Sequence, residues 1–121
     1  MTEKRKRLGE TAEAFAVNFL KRKGYRILAQ NYRCRYGEID IVALDNRVLV
    51  FIEVRAKGSA AFGLPQESVG RRKQKKLREV ARHYLATERE KGTVCRFDVV
   101  AVQYDVENQK VKTIEHIENA F

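Results

Sequence analysis

Apolar side chains recur at three- and four-residue spacings through Leu8, Ala12, Phe15, Ala16, Phe19 and Leu20, the stripe of an amphipathic helix over residues 9–23. Gly24 stands where a helix C-terminal cap belongs. Residues 25–32 then read as a first strand, with Tyr25, Ile27 and Ala29 on one face and Leu28 on the other. Residues 38–44 and 48–55 are two runs rich in Val, Ile and Phe, joined by Asp45-Asn46-Arg47, a segment whose residue types suit a tight turn. They predict a hairpin of strands two and three. Residues 56–65, with glycines at 58 and 63, read as a loop. Residues 67–88 predict the longest helix, with Val69, Leu77, Val80, Ala81, Tyr84 and Leu85 on its buried side. Strands at 94–104 and 111–117 complete the order α-β-β-β-α-β-β, an α/β fold in which helices flank a mixed sheet.

The 121 residues suit one domain. Repeats, low-complexity tracts and linkers are not evident, and Pro65 is the sole proline. The division is a basic N-terminal tail over residues 1–8 and a single domain over 9–121. No apolar run approaches the roughly 20 residues that span a bilayer, and the N-terminus lacks the apolar stretch of a secretory signal. The expectation is a cytoplasmic protein without a membrane partner. Cys34 and Cys95 lie far apart and outside any C-x-x-C spacing, so they read as ordinary thiols rather than zinc ligands. The formal net charge of +9 changes the picture more, because a field of that sign favours a polyanionic partner, most commonly nucleic acid.

The hairpin carries carboxylates where a buried sheet rarely tolerates them. Asp40 lies between Ile39 and Ile41, and Glu53 between Ile52 and Val54. An inward acid needs a metal, a cationic partner or solvent. A turn centred on Asn46 and Arg47 pairs Asp45 with Val48, Leu44 with Leu49 and Val42 with Phe51. The same count sets Asp40 opposite Glu53 and Glu38 opposite Arg55. Opposed residues share a face at about 4.5–5.5 Å between Cβ atoms, where two carboxylates repel unless a cation lies between them. Oxygen donors suit a hard ion, Mg²⁺ or Mn²⁺. Arg55, two residues after Glu53, points to the same side and is positioned to hold a phosphate. The same residues admit a plainer arrangement, a solvent-facing ion-pair cluster of Glu38, Asp40, Glu53 and Arg55.

Gly37-Glu38-Ile39-Asp40, followed by Val50-Phe51-Ile52-Glu53-Val54-Arg55, resembles the core of the PD-(D/E)xK nuclease superfamily. More closely, the chain looks like the YraN-type bacterial proteins, related to archaeal Holliday-junction resolvases. Further matches run along the chain at Gly9, Ala12, Glu13, Ala16, Gly24-Tyr25, Asn31-Tyr32-Arg33, Lys73, Tyr84-Leu85, Arg96-Phe97-Asp98 and Asn119-Ala120-Phe121. The resemblance implies a restriction-endonuclease-like mixed sheet and a metal-dependent endonuclease or resolvase acting on structured or branched DNA. It implies Asp40, Glu53 and the backbone carbonyl of Val54 as metal ligands, with Glu13 completing the site. Resolvase relatives act as dimers, so a homodimer is a partner the resemblance allows. The superfamily motif ends in lysine, and Arg55 stands there instead. Arginine stabilises a phosphate but is a poor base. Lys57 is one substitute amine, and a degenerate site that binds nucleic acid without cutting it is the alternative reading. A protein-interaction adaptor on the same scaffold is a third.

Arg71, Arg72, Lys73 and Lys76 open the long helix and are the candidate phosphate contacts, together with Lys57. Few aromatics interleave with these charges, so base stacking is expected to be minor and recognition to follow shape and backbone. His83 and His116 have no metal-ligand spacing and read as structural or surface residues.

Overall fold

The computed structural model describes residues 3–57, 69–88, 94–105 and 107–121, with the main chain alone at 3–8 and 57. The elements are α1 (Glu3–Arg22), β1 (Arg26–Cys34), β2 (Gly37–Asp45), β3 (Val48–Lys57), α2 (Arg71–Thr87), β4 (Cys95–Asp105) and β5 (Lys110–Ile117). This is the expected order α-β-β-β-α-β-β. Three boundaries differ most, the first being the start of α2, which is Arg71 rather than 67, so that Val69 and Gly70 precede the helix. Helix α1 begins at Glu3, so most of the stretch read as a tail is helical main chain. Strand β3 runs through Ala56 and Lys57, which the glycines downstream had suggested were loop. The remainder of that loop, with Glu67 and Ser68, lies outside the described residues.

Helix α1 ends as its glycine dictates. Gly24 takes φ +93°, its N–H donates to the Lys21 carbonyl, and the Tyr25 N–H donates to the Leu20 carbonyl at 3.0 Å. That pair of bonds satisfies the last carbonyls of the helix and turns the chain into β1. The five strands stand in the order β1-β2-β3-β4-β5. Only β3 and β4 are parallel, as the intervening crossover through α2 requires.

Each helix covers one sheet face. Ala12, Ala16, Val17 and Leu20 of α1 pack on Ile41, Ala43, Val50, Ile52, Val100 and Val102. Leu77, Val80, Ala81 and Tyr84 of α2 pack on Ile39, Val42, Leu49, Phe51 and Val99. Both faces of β3 are therefore apolar, which explains its near-continuous hydrophobic run. In β1 the alternation breaks. The register shifts between Ile27 and Ala29, so Leu28 is the extra residue of a bulge. Leu28 and Ala29 consequently both pack toward α2, while Ile27 packs toward α1. Grouping Ala29 with Ile27 was the error of assuming an unbroken period of two.

Candidate functional site: a carboxylate fork at the end of the hairpin

The β2–β3 ladder has the expected register, Asp45 with Val48, Leu44 with Leu49 and Val42 with Phe51, and its last recorded pair is Ile41 with Ile52. Asp40 is the next residue outward, and there the strands part. Beyond it β2 stays paired to β1, through Ile39–Tyr32 and Glu38–Arg33. Ile39 packs toward α2 although Ile41, two residues on, packs toward α1, so the pleat is broken at Asp40. Its neighbour on β1, Asn31, adopts φ +52°, a left-handed conformation that asparagine tolerates. The β1–β2 ribbon thus bends away at this level.

The fork leaves the Val54 N–H without a ladder acceptor, and Asp40 replaces it: the N–H donates to Asp40 Oδ2 at 2.8 Å. In an extended strand a residue's N–H and C=O point to the same side, so the Val54 carbonyl is directed into the fork as well. Glu53 lies between two residues that pack toward α1 and therefore projects toward α2, where it is 8% exposed. Lys73 Nζ meets Glu53 Oε1 at 3.1 Å. Glu13 approaches from α1, near enough to Asn31 and Asp40 for both to act on its carboxyl. Asp40 and Glu53 are thus close, but not as two side chains on one face. One lies in the gap between the strands, and the other projects toward α2.

The electrostatics follow from this crowding. Burial, then the charge of Glu53, push the Asp40 carboxyl from 3.8 to about 7; the Val54 N–H opposes that, while Glu13 adds to it. Burial also raises Glu13, against the stabilising hydrogen bond from Asn31, and the charges of Glu38 and Glu53 add to the rise. Among the described residues no group of three His, Cys, Asp or Glu side chains stands at ion-holding separation as placed. The ammonium of Lys73 stands against Glu53 and offsets part of this negative charge.

Other expected residues fall differently. Arg55 is half-buried, two residues beyond Glu53 on the same strand side. Glu38 does not face it; Glu38 accepts from Arg33 Nε at 3.1 Å across the β1–β2 pair. Lys73 was read as a phosphate contact, yet it reaches the carboxylate, because the first turn of α2 lies over the fork. Arg71, Arg72 and Lys76 are exposed on that turn. The Lys57 main chain pairs with Gln103 at the end of β3, and its side chain lies outside the described residues.

A second polar cluster escaped the sequence reading. Asp98 is fully buried. It accepts from Arg96 Nε at 3.0 Å and from the Asn119 N–H at 3.1 Å, and lies 2.7 Å from His116 Nε2. Arg96 also reaches Asp45 at 3.2 Å and donates to the Tyr25 hydroxyl at 2.6 Å. Burial alone would raise the Asp98 carboxyl, but the bonds from His116, Arg96 and Asn119 outweigh it and hold it below its ordinary value. The signal was an aspartate inside an apolar strand, the same signal that exposed Asp40. His116 is structural, as expected. His83 packs beside Tyr32 and Tyr36.

Residues 12–102 match the model of the family described as "Uncharacterised protein family UPF0102". The chain is 49% identical to a protein of Pelotomaculum thermopropionicum and 50% identical to one of Moorella thermoacetica, in both cases over 121 residues and the full length of each chain. It is 46% identical over 122 residues to a protein of Desulforamulus reducens, covering 99% of both. All three carry the name "UPF0102 protein". Among the described residues no helix is long and apolar enough to cross a membrane.

Proposed function

The chain belongs to the UPF0102 family, and from that premise together with the carboxylate fork we propose that it is a metal-dependent endonuclease of the PD-(D/E)xK type, hydrolysing phosphodiesters of structured DNA. One observation carries the reading. Carboxylates from α1, β2 and β3 are gathered at a break in the sheet, where burial and then the charge of Glu53 lift Asp40 to about 7. A fold gains nothing in stability from such a cluster, so its use lies in charge it can accept.

The donor set fits a hard divalent cation. Asp40, Glu53, Glu13 and the Val54 carbonyl would hold it, all through oxygen. Such an ion, when bound, orients a phosphate, lowers the pKa of its water and neutralises developing charge. The chain's own groups have distinct tasks. Lys73 must release Glu53, and the Asp40 carboxyl must be ionised, before the oxygens are available. The released Lys73 ammonium then adds a second positive charge beside the reacting phosphate. Arg55, permanently charged, holds the phosphate oxygens. Exposed Arg71, Arg72 and Lys76 contact flanking phosphates, so log affinity should fall steeply with log salt.

The test is incubation of branched, flapped and linear DNA with Mg²⁺ or Mn²⁺. Cleavage that disappears in Asp40→Ala and Glu53→Ala supports the assignment, and cleavage that persists unchanged in both refutes it. A second reading is favoured by one feature, Arg55 at the motif's lysine position with Lys73 pairing Glu53. A binding module with a degenerate site would show salt-sensitive binding, unimpaired in Asp40→Ala, and no metal-dependent cleavage.

A further inference from the structure

At the turn end of the β1–β2 ribbon, Tyr36 is one of two large apolar side chains exposed among the described residues, at 37%. It is held in place. The Arg35 guanidinium lies 4.8 Å from the ring centroid and donates to the hydroxyl at 2.6 Å, and the His83 ring meets Tyr36 edge-on at 6.0 Å. Gly37, at φ +143°, turns the chain from Tyr36 into β2. Tyr36 also forms a wall shared by two recesses. The smaller, about 160 Å³, is lined by Lys73, Lys76 and Glu38 among others, and Lys73 is the residue bonded to Glu53. The larger, about 420 Å³, is an open groove between Tyr36, Arg82 and His83, with Glu79 on one side. Arg33, Arg35, Lys76 and Arg82 are exposed around this path. Glu38, the acid inside the smaller recess, is neutralised by Arg33.

An exposed ring held between Arg35 and His83, flanked by cations and linked to the carboxylate fork through Lys73, has the chemistry of a stacking platform for a nucleobase. An aromatic face accepts any base, while arginines and lysines on either side take the phosphates. A base inside a continuous duplex keeps its stacking partners and has no face to offer. We propose that Tyr36 stacks an unpaired base next to the phosphate held at the fork, so that the preferred substrate is a nucleic acid with an unpaired stretch, as at a flap or fork. This rests on the endonuclease reading and narrows its substrate. It also revises the expectation of minor base stacking, at one position that β1 and α2 together create.

Binding is measured by fluorescence anisotropy in EDTA, which separates it from any hydrolysis. The probes are a labelled single strand of about 12 nucleotides and the blunt duplex of the same sequence. Tyr36→Ala is expected to weaken single-strand binding on the order of tenfold and to leave duplex binding within about twofold, whereas Tyr36→Phe retains wild-type affinity for both. The chain has no tryptophan, so Tyr36→Trp provides a sole reporter whose emission should be quenched when the single strand binds. That measurement stands even where the alanine variant fails to fold. Unquenched emission at saturation, or equal single-strand affinity in all three variants, overturns the platform while leaving Asp40-dependent cleavage intact. Absence of nucleic-acid binding by the wild type at low salt overturns both readings. Binding and quenching without cleavage supports the platform and removes only the hydrolytic assignment.

Discussion

Replacing Asp40 by asparagine should make the protein more stable, and increasingly so as the solution becomes alkaline. The carboxyl is ordinarily half-ionised at 3.8 but at about 7 in the fold. An acid that holds its proton more tightly when folded stabilises the fold while protonated, and that contribution is lost as pH rises from 3.8 to about 7. Roughly three decades of proton affinity, at about 1.4 kcal/mol each, set a ceiling of about 4 kcal/mol. Local relaxation and water entry bring the expected value to about 2–4 kcal/mol near pH 8, against about 1 kcal/mol near pH 4.5. Asparagine resembles the neutral acid and keeps an oxygen for the Val54 N–H, which donates at 2.8 Å. For a chain of this length 1 kcal/mol corresponds to about 4 °C in Tm, so the variant should melt about 8–16 °C higher at the alkaline end. Far-ultraviolet circular dichroism during heating measures this. A variant that gains equally at both pH values, or gains nothing near pH 8, would show that burial and the charge of Glu53 do not raise the Asp40 carboxyl as described.

Millimolar Mn²⁺ should raise the wild-type Tm near pH 8 and leave Asp40→Asn and Glu53→Gln unmoved, since each lacks a charge that would hold the ion. Lys73→Gln frees Glu53 from a partner that is partly exposed, so Mn²⁺ should bind about two- to fivefold more tightly by calorimetry while cleavage falls. Asp98→Asn leaves Arg96 and His116 facing a neutral amide and should cost about 3–5 kcal/mol in urea unfolding. Because the Asp98 carboxyl is held low, its contribution is present above 3.8 and fades as pH falls through the depressed value. The variant's deficit should therefore shrink in acid, and a deficit independent of pH would contradict the network. Gly37→Ala places a Cβ on a residue at φ +143° and should cost about 1–3 kcal/mol in the same assay.

Much of this arrangement was legible in the chain. The hairpin register was recoverable because a short turn fixes it and because a slip of one residue would have turned the apolar set of β3 over. The two carboxylates were conspicuous because β-branched neighbours on both sides marked them as out of place. Long-range events were hidden. Nothing local in residues 26–30 announces that Leu28 is a bulge; that depends on which β2 residue it must pass. The break at Asp40 arises where β1 and β3 demand different paths of β2, so counting outward from the turn ran past the last pair, and neither Asp40–Glu53 nor Glu38–Arg55 is a ladder pair. The approach of Lys73 to Glu53 depends on where a crossover helix lands, and the Asp98 cluster on a contact between residues 18 apart on different strands.

The Arg96 cluster has a counterpart role to the fork. It joins β2 through Asp45, the start of β1 through Tyr25, and the chain beyond β5 through Glu118, all toward the hairpin-turn end of β3. That end is riveted by opposite charges, while at the far end the ladder between β2 and β3 stops and carboxylates crowd together. Thermal breathing of the sheet should therefore be lopsided, with amide protons at Val54 and Ile39 trading for deuterium well before those at Leu49 and Val50. A molecule built this way can open at the fork without loosening its frame.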